Sequence, residues 1–162
     1  MITFKTATTS YTEVIALLGR ITYTESHGHF IDDKNDLLAY CANAFSIKKI
    51  TEELEDKNNL FHIAYVDDLP VGFSKVVLNY PFEDKTANNS ARLERIYILN
   101  DFIQQKLGYK FLQFIEQEAK FPLTPRNLYP VRRTCFGGLG TGQLLLKIGS
   151  GLHQTNLRNL KS

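Results

Sequence analysis

Residues 91–115, ARLERIYILNDFIQQKLGYKFLQFI, join a predicted strand to a predicted helix and decide the fold. Alternating β-branched and aromatic residues from Leu93 to Leu99 predict a strand that ends at Asn100-Asp101. After Gln105, apolar residues recur at the spacing of one helix face: Leu107, Phe111, Phe114 and Ile115. A strand that leads into a helix through a short turn offers backbone N–H groups and the positive helix end to an anion. The stretch therefore predicts a turn able to bind a pyrophosphate.

The residues upstream predict one strand and three helices. The strand is expected at 2–6 and the helices at 11–20, 33–45 and 47–56. Ser10 and Glu13 fit a capping box for the first helix, and Tyr23–His29 is a polar, glycine-containing break after it. Ser46 is the expected cap of the third helix. The acidic cluster of that helix (Glu52, Glu53, Glu55 and Asp56) is expected on its solvated side.

Two further strands, Leu60–Val66 and Val71–Leu78, are predicted to pair as an antiparallel hairpin around a turn at Asp67–Pro70. A polar loop over 84–90 separates this hairpin from the strand of the opening stretch. The order of strands and helices predicts an α/β or α+β domain.

Length and composition exclude several classes of protein. A chain of 162 residues with 43% hydrophobic and 22% charged residues suits one globular domain with a real core. No apolar run approaches the roughly 20 residues of a membrane span, and the first residues do not resemble a signal peptide. Two cysteines are too few for a disulfide framework. We expect a cytoplasmic protein that does not bind membranes.

Charge is divided unevenly along the chain. Residues 1–118 hold 12 basic and 17 acidic residues, a net charge of −5, whereas residues 119–162 hold seven basic residues and no acidic one, a net charge of +7. The acidic part suits a cationic substrate. A basic tail can indicate nucleic-acid binding, but its charges are scattered and no recognition motif accompanies them. We therefore expect no nucleic-acid partner.

The segment Glu94-Arg-Ile-Tyr-Ile98, followed by Leu107-Gly108-x-x-Phe111-Leu112, resembles the central motif of the GNAT N-acetyltransferases. Within that superfamily, the chain is most similar to the bacterial spermidine/spermine (polyamine) acetyltransferase group, over about residues 1–120. The resemblance implies a mixed, mostly antiparallel sheet flanked by helices. It also implies transfer of an acetyl group from the cosubstrate acetyl-CoA to a primary amine, with a polyamine as the favoured acceptor.

The family binds the acetyl-CoA pyrophosphate with a Gln/Arg-x-x-Gly-x-Gly/Ala turn. The matching positions here are Ile103, Lys106 and Gly108, and only Gly108 fits the pattern. Lys106 can supply positive charge, although a residue with a Cβ restricts the backbone approach that glycine permits. The resemblance implies the following cosubstrate-binding residues: Ile96, Ile98, Ile103, Lys106, Leu107, Gly108, Tyr109 and Lys110.

Acetyl transfer needs a deprotonated amine, donors for the carbonyl oxygen and an acid for the leaving thiolate. The resemblance implies that backbone amides of Ile96 and Ile98 hold the carbonyl; both side chains also suit a core. Glu94 is the candidate base, acting through water, and the alternative is an ion pair with Arg92 or Arg95. Tyr97 is a candidate proton donor, and the alternative is a packed tyrosine.

The resemblance places the acceptor-binding loop at Tyr23, Glu25 and His27. His27-Gly28-His29 has two histidines but no third ligand nearby, so we expect no metal. The glycine cluster at 137–142 lacks the Lys-Ser/Thr of a P-loop and the spacing of a dinucleotide-binding motif.

Residues 122–162 differ from the family pattern. A GNAT domain supplies a fifth strand here and then a helix with a tyrosine that serves as general acid, whereas this chain has no tyrosine after Tyr129. We interpret 1–121 as the GNAT-like core and 122–162 as a frameshifted reading of the usual ending; a genuinely divergent tail is the alternative. The altered ending leaves open a catalytically impaired GNAT-like binding domain. A core without its last strand would expose a sheet edge, which predicts a homodimer.

Overall fold

The structure, a computed structural model, describes residues 1–80 and 91–118. Its strands and helices are β1 (Ile2–Thr6), α1 (Thr12–His27), α2 (Lys34–Ala44), α3 (Ile47–Glu55), β2 (Asn59–Val66), β3 (Leu69–Leu78), β4 (Ala91–Ile98) and α4 (Leu107–Glu118). Short 3-10 helices lie at Thr9–Tyr11, Gly28–Phe30 and Asn100–Gln105. The predicted boundary at 121/122 and the whole basic tail lie outside the described residues.

The four strands form one antiparallel sheet in the order β1-β2-β3-β4. One face packs on α4, through the buried side chains Leu93, Ile96, Ile98, Leu107, Phe111, Leu112 and Ile115. The opposite face packs on α1, α2 and α3, through the buried side chains Ile15, Leu18, Leu37, Phe45, Ile50, Phe61, Ile63, Phe73 and Tyr97. Helices on both faces of a mostly antiparallel sheet confirm the predicted fold class.

The predicted beginning of α3 is confirmed, because Ser46 Oγ accepts a hydrogen bond from the backbone N–H of Lys49 at 3.1 Å. The predicted capping box of the first helix is wrong. Helix α1 has no side-chain cap, and the hydroxyl of Ser10 instead contacts that of Thr8 at 2.8 Å.

The predicted break at Tyr23–His29 is also wrong, since α1 continues to His27. Two hydroxyl residues in this part of α1 donate to carbonyls one turn earlier: Thr22 Oγ1 to Leu18 O at 2.6 Å and Ser26 Oγ to Thr22 O at 2.7 Å. Because the helix satisfies these polar side chains itself, they do not end it.

A β-bulge interrupts the pairing of β3 with β4. Lys75 lies opposite Arg95 and Val76 lies opposite Leu93, so Glu94 is an extra residue on β4. A bulge bends its strand and redirects the side chains beside it. In this sheet it redirects the side chain predicted to be the base.

Among the described residues no helix is long and apolar enough to cross a membrane.

Candidate active site

The turn between β4 and α4 ends in a left-handed residue. After the 3-10 helix Asn100–Gln105, Lys106 has φ 53° and ψ 18°, and α4 begins at Leu107. A side chain with a Cβ is disfavoured in this conformation, whereas glycine adopts it readily. Lys106 therefore stands in place of the family's glycine at a position whose backbone conformation favours glycine.

The predicted cosubstrate-binding residues divide into a buried group and an exposed group. Ile96, Ile98, Leu107 and Gly108 are buried, and Ile103 packs against the same core cluster. The exposed group consists of Lys106, Tyr109 and Lys110. Two exposed lysines thus lie at the beginning of α4, Lys106 just before the helix and Lys110 in its first turn. The backbone N–H groups and the helix dipole there also favour an anion.

The predicted acceptor-binding residues lie on the last turns of α1 rather than in a loop. The ring of Tyr23 stacks on His27 at 4.3 Å and on Tyr40 at 4.4 Å, and lies 5.9 Å from Phe45. Glu25 Oε2 accepts a hydrogen bond from the backbone N–H of Asn100 at 3.1 Å. This bond joins the end of α1 to the residues that follow β4.

His27 is held beside this ring stack. Its Nδ1 lies 2.7 Å from Ser26 Oγ. Burial lowers the pKa of His27, a hydrogen bond with the Tyr23 backbone opposes that effect, and the neighbouring His29 adds to it. The imidazole is therefore neutral around pH 7, with one nitrogen able to donate a hydrogen bond and the other able to accept one.

Tyr97 is buried on the same side of the sheet. Its ring meets the edge of Phe45 at 6.3 Å and lies tilted on Phe73 at 5.5 Å. Phe45 therefore contacts both Tyr23 and Tyr97. The packing matches the alternative of a structural tyrosine and leaves its role as a proton donor a prediction.

Close backbone approach brings β3 against β4 at Tyr97. A Cβ on Gly72 would lie 2.5 Å from the carbonyl oxygen of Tyr97 and 3.2 Å from Cα of Ile98. Only glycine fits there without moving the strand. Gly72 therefore fixes the part of β4 whose amides are predicted to hold the acetyl carbonyl.

Glu94 forms an ion pair, but with a partner that the sequence reading missed. Its Oε2 lies 3.1 Å from Nζ of Lys75. The predicted arginine partners are engaged elsewhere: Arg92 Nη1 donates to Tyr80 Oη at 2.8 Å, and Arg95 donates to Glu53. The ion-pair alternative named the wrong cation.

Glu53 and Lys75 are functional candidates that the sequence reading missed. Glu53 was expected on the solvated side of α3 and is instead buried. Its position three residues after the buried Ile50 places it on the apolar face of the helix. Lys75 lies within the apolar run of β3. The signal in the sequence was a charged residue at a core position of α3 and another at a core position of β3. That signal could have predicted that Glu53 and Lys75 pair with each other.

No group of three or more His, Cys, Asp or Glu side chains able to hold a metal ion occurs among residues 1–80 and 91–118. No protein-family model matches the chain.

Solved structures of acetyltransferases resemble it. The PaiA N-acetyltransferase of Thermoplasma acidophilum, in complex with coenzyme A, is 19% identical with a TM-score of 0.61, over 74% of this chain and 72% of that one. An aminoglycoside acetyltransferase, HMB0005, from an uncultured soil metagenomic sample is 12% identical with a TM-score of 0.57, over 80% and 76%. An acetyltransferase from Vibrio fischeri is 18% identical with a TM-score of 0.54, over 73% and 86%. The chain thus has the fold of GNAT acetyltransferases.

Proposed function

We propose that this protein is an N-acetyltransferase that transfers the acetyl group of acetyl-CoA to a primary amine. The observation that carries the proposal is the hydrogen bond from the Asn100 amide to Glu25. It brings the candidate acceptor residues of α1 beside the end of β4, from which the chain turns into α4. Amine and thioester must be held close together and in the right orientation for transfer to occur.

The two exposed lysines at the beginning of α4 are the proposed pyrophosphate contacts. Lys106 and Lys110 supply charge, and the N-terminal amides of α4 supply hydrogen bonds. The backbone of Ile96 and Ile98 is proposed to hold the thioester carbonyl. In the reaction the amine nitrogen bonds to the carbonyl carbon, the C–S bond breaks, and the thiolate leaves with a proton.

Glu94 is the proposed acceptor of the ammonium proton, through water, and Tyr97 the proposed donor to the thiolate. Glu94 suits its role in two respects: it lies on the bulge of β4, and its side chain is 32% exposed, so water can reach it. Tyr97 is the tyrosine of β4, so it is the phenol that this strand can offer.

A polyamine is the proposed acceptor. Residues 1–118 carry a net charge of −5, and Glu25 and Glu94 are the carboxylates of the proposed site. A substrate with several ammonium groups gains from both features.

The alternative is a GNAT-like domain that binds without catalysis. The observation that favours it is the left-handed conformation of Lys106, whose side chain stands where the family has glycine. A bulky residue there restricts the approach of a pyrophosphate to the backbone.

The homodimer and the cytoplasmic location stay predictions. Light scattering at high micromolar concentration tests whether the chain forms a dimer.

Calorimetric titration with acetyl-CoA, followed by turnover assays, separates the two functions. Spermidine, spermine, a simple monoamine and an aminoglycoside form the acceptor panel. Saturable binding with turnover on a polyamine supports the full proposal, and turnover on another amine supports the enzyme but not the acceptor. Binding without turnover supports the binding domain. Absence of heat and of a thermal shift at millimolar acetyl-CoA contradicts the enzyme.

A further inference from the structure

Helix α3 inserts a carboxylate into the sheet interface, at Glu53, which is 8% exposed. Its two oxygens accept from one guanidinium: Arg95 Nη1 at 2.8 Å and Arg95 Nη2 at 3.2 Å. Nζ of Lys75 lies 3.3 Å from the same carboxylate. A buried carboxylate is tolerated when it is paired and hydrogen-bonded in this way.

Lys75 is shared between two carboxylates. Its Nζ lies 3.3 Å from Glu53 Oε2 and 3.1 Å from Glu94 Oε2, and its side chain is only 7% exposed. With Arg95, the cluster contains two cations and two anions and is electrically balanced. Because water has little access to Lys75, the two carboxylates are its main stabilising partners among the described residues.

The cluster lies at the bulge of β4. Arg95 is paired opposite Lys75 on β3, and Glu94 is the inserted residue. Glu53 is therefore tied to both sides of the bulge, to β3 through Lys75 and to β4 through Arg95. Among the described residues, Lys75 is the cation that contacts both Glu53 and Glu94.

We propose that Glu53 is a positioning residue for Glu94, an inference that rests on the proposed function. Glu53 binds Arg95 and shares Lys75 with Glu94. Lys75 therefore orients the Glu94 carboxylate without forming an exclusive ion pair with it. When Glu53 loses its charge, Glu94 becomes the one carboxylate that Lys75 pairs with in the cluster. The shared pairing that orients the Glu94 carboxylate is then lost.

A double-mutant cycle on turnover tests the proposal. Glu53→Gln is expected to lower kcat about tenfold and Glu94→Gln about a hundredfold. The double variant should be no slower than Glu94→Gln, and the KM values for acetyl-CoA and amine should stay within twofold. Glu52→Gln, one residue earlier on α3 and exposed, is the matched control and should leave kcat unchanged. An equal tenfold loss in the Glu94→Gln background, or a loss confined to KM, overturns the proposal.

Glu53→Asp keeps the charge and should recover part of the loss in kcat. Should Glu53→Gln fail to fold, Glu53→Asp takes its place in the cycle, with the same requirement of no further loss in the Glu94→Gln background.

A second measurement needs no activity. Urea unfolding is measured for the unaltered protein, Glu53→Gln, Glu94→Gln and the double variant. The two stability changes should be non-additive, and Lys75→Met should abolish that non-additivity. Additive changes in the presence of Lys75 overturn the positioning claim. Absence of turnover in the unaltered protein contradicts the proposed function, and the unfolding cycle then decides the positioning of Glu94 by itself.

Discussion

Gly19 lies directly under the ring of Phe45: a Cβ at position 19 would be 2.2 Å from Cδ1 of that ring. Phe45 also contacts Tyr23 and Tyr97, so a glycine in α1 sets the position of an aromatic group between the proposed acceptor residues and β4.

We expect Gly19→Ala to destabilise the protein by about 1–2 kcal/mol, because displacement of the Phe45 ring outweighs the roughly 1 kcal/mol by which alanine favours a helix. Chemical unfolding measures the change. Gly28→Ala is the control, since its Cβ would meet Leu37 Cδ2 at 3.4 Å, an ordinary contact. A Gly19→Ala variant as stable as the unaltered protein would show that Phe45 does not depend on this glycine.

Secondary structure was predictable where local chemistry decides it. Ser46 caps α3 as expected, and the hairpin of β2 and β3 turns at Asp67 and Asp68, whose φ values of 48° and 64° suit a two-residue turn. The end of α1 was not predictable from polarity, because Ser26 satisfies its hydroxyl within the helix.

Site residues were harder to predict because tertiary pairing decides them. The predicted partners of Glu94 were its neighbours in sequence, Arg92 and Arg95. Its actual partner is Lys75, which lies on the adjacent strand β3. Glu53 looked solvated within an acidic run, and two cations from the sheet make its burial tolerable. A sequence pattern records neither contact.

The second prediction concerns the left-handed residue of the turn. Lys106→Gly is expected to be more stable than Lys106→Ala by about 1 kcal/mol, because glycine relieves the strain at φ 53°. Both variants remove the same charged side chain, so the difference isolates the backbone. At Lys110, inside α4, the order should reverse by a similar amount, since alanine is the better helix residue. Equal stabilities at position 106 would contradict the strain.

The third prediction concerns a buried histidine on the α4 side of the sheet. His62 is 1% exposed, and its Nδ1 lies 3.2 Å from Ser74 Oγ. Its Nε2 has no hydrogen-bond partner among the described residues. Burial lowers the pKa of His62 from 6.5 to about 4.

The free energy of unfolding should therefore depend on pH between about 6.5 and 4. Above this range His62 is neutral in both states and its contribution is complete. As the pH falls, the unfolded chain binds a proton that the folded chain rejects, so stability declines by up to about 3 kcal/mol. Urea unfolding at several pH values measures the slope. His62→Phe should remove this part of it, whereas Ser74→Ala should keep it; an unchanged slope in His62→Phe would refute the assignment.

The last prediction concerns the coding frame of residues 122–162, which we propose to be shifted from the usual GNAT ending. Codons for Phe136 to Gly140 and the first base of Thr141 can be written TTY-GGN-GGN-YTN-GGN-A. Without the first base, this reads TYG-GNG-GNY-TNG-GNA, which can encode Leu-Gly-Val-Trp-Glu. The predicted resemblance to the polyamine acetyltransferases implies just such a stretch on a fifth strand. The free third bases mean that a divergent tail of biased composition also permits this reading.

Sequencing the gene tests the frame directly. We expect the alternative frame downstream of Lys120 to encode a Phe-Tyr-x-x-x-Gly-Phe-like segment without an early stop. A chain expressed in that frame would regain the terminal tyrosine that the family uses as general acid, and general acid catalysis contributes about a hundredfold or more to rate. Its kcat on the amine panel should accordingly exceed that of the present chain, and its tyrosine→phenylalanine variant should return kcat toward the present value. An early stop in the alternative frame, or the absence of such a segment from it, would establish the divergent tail instead.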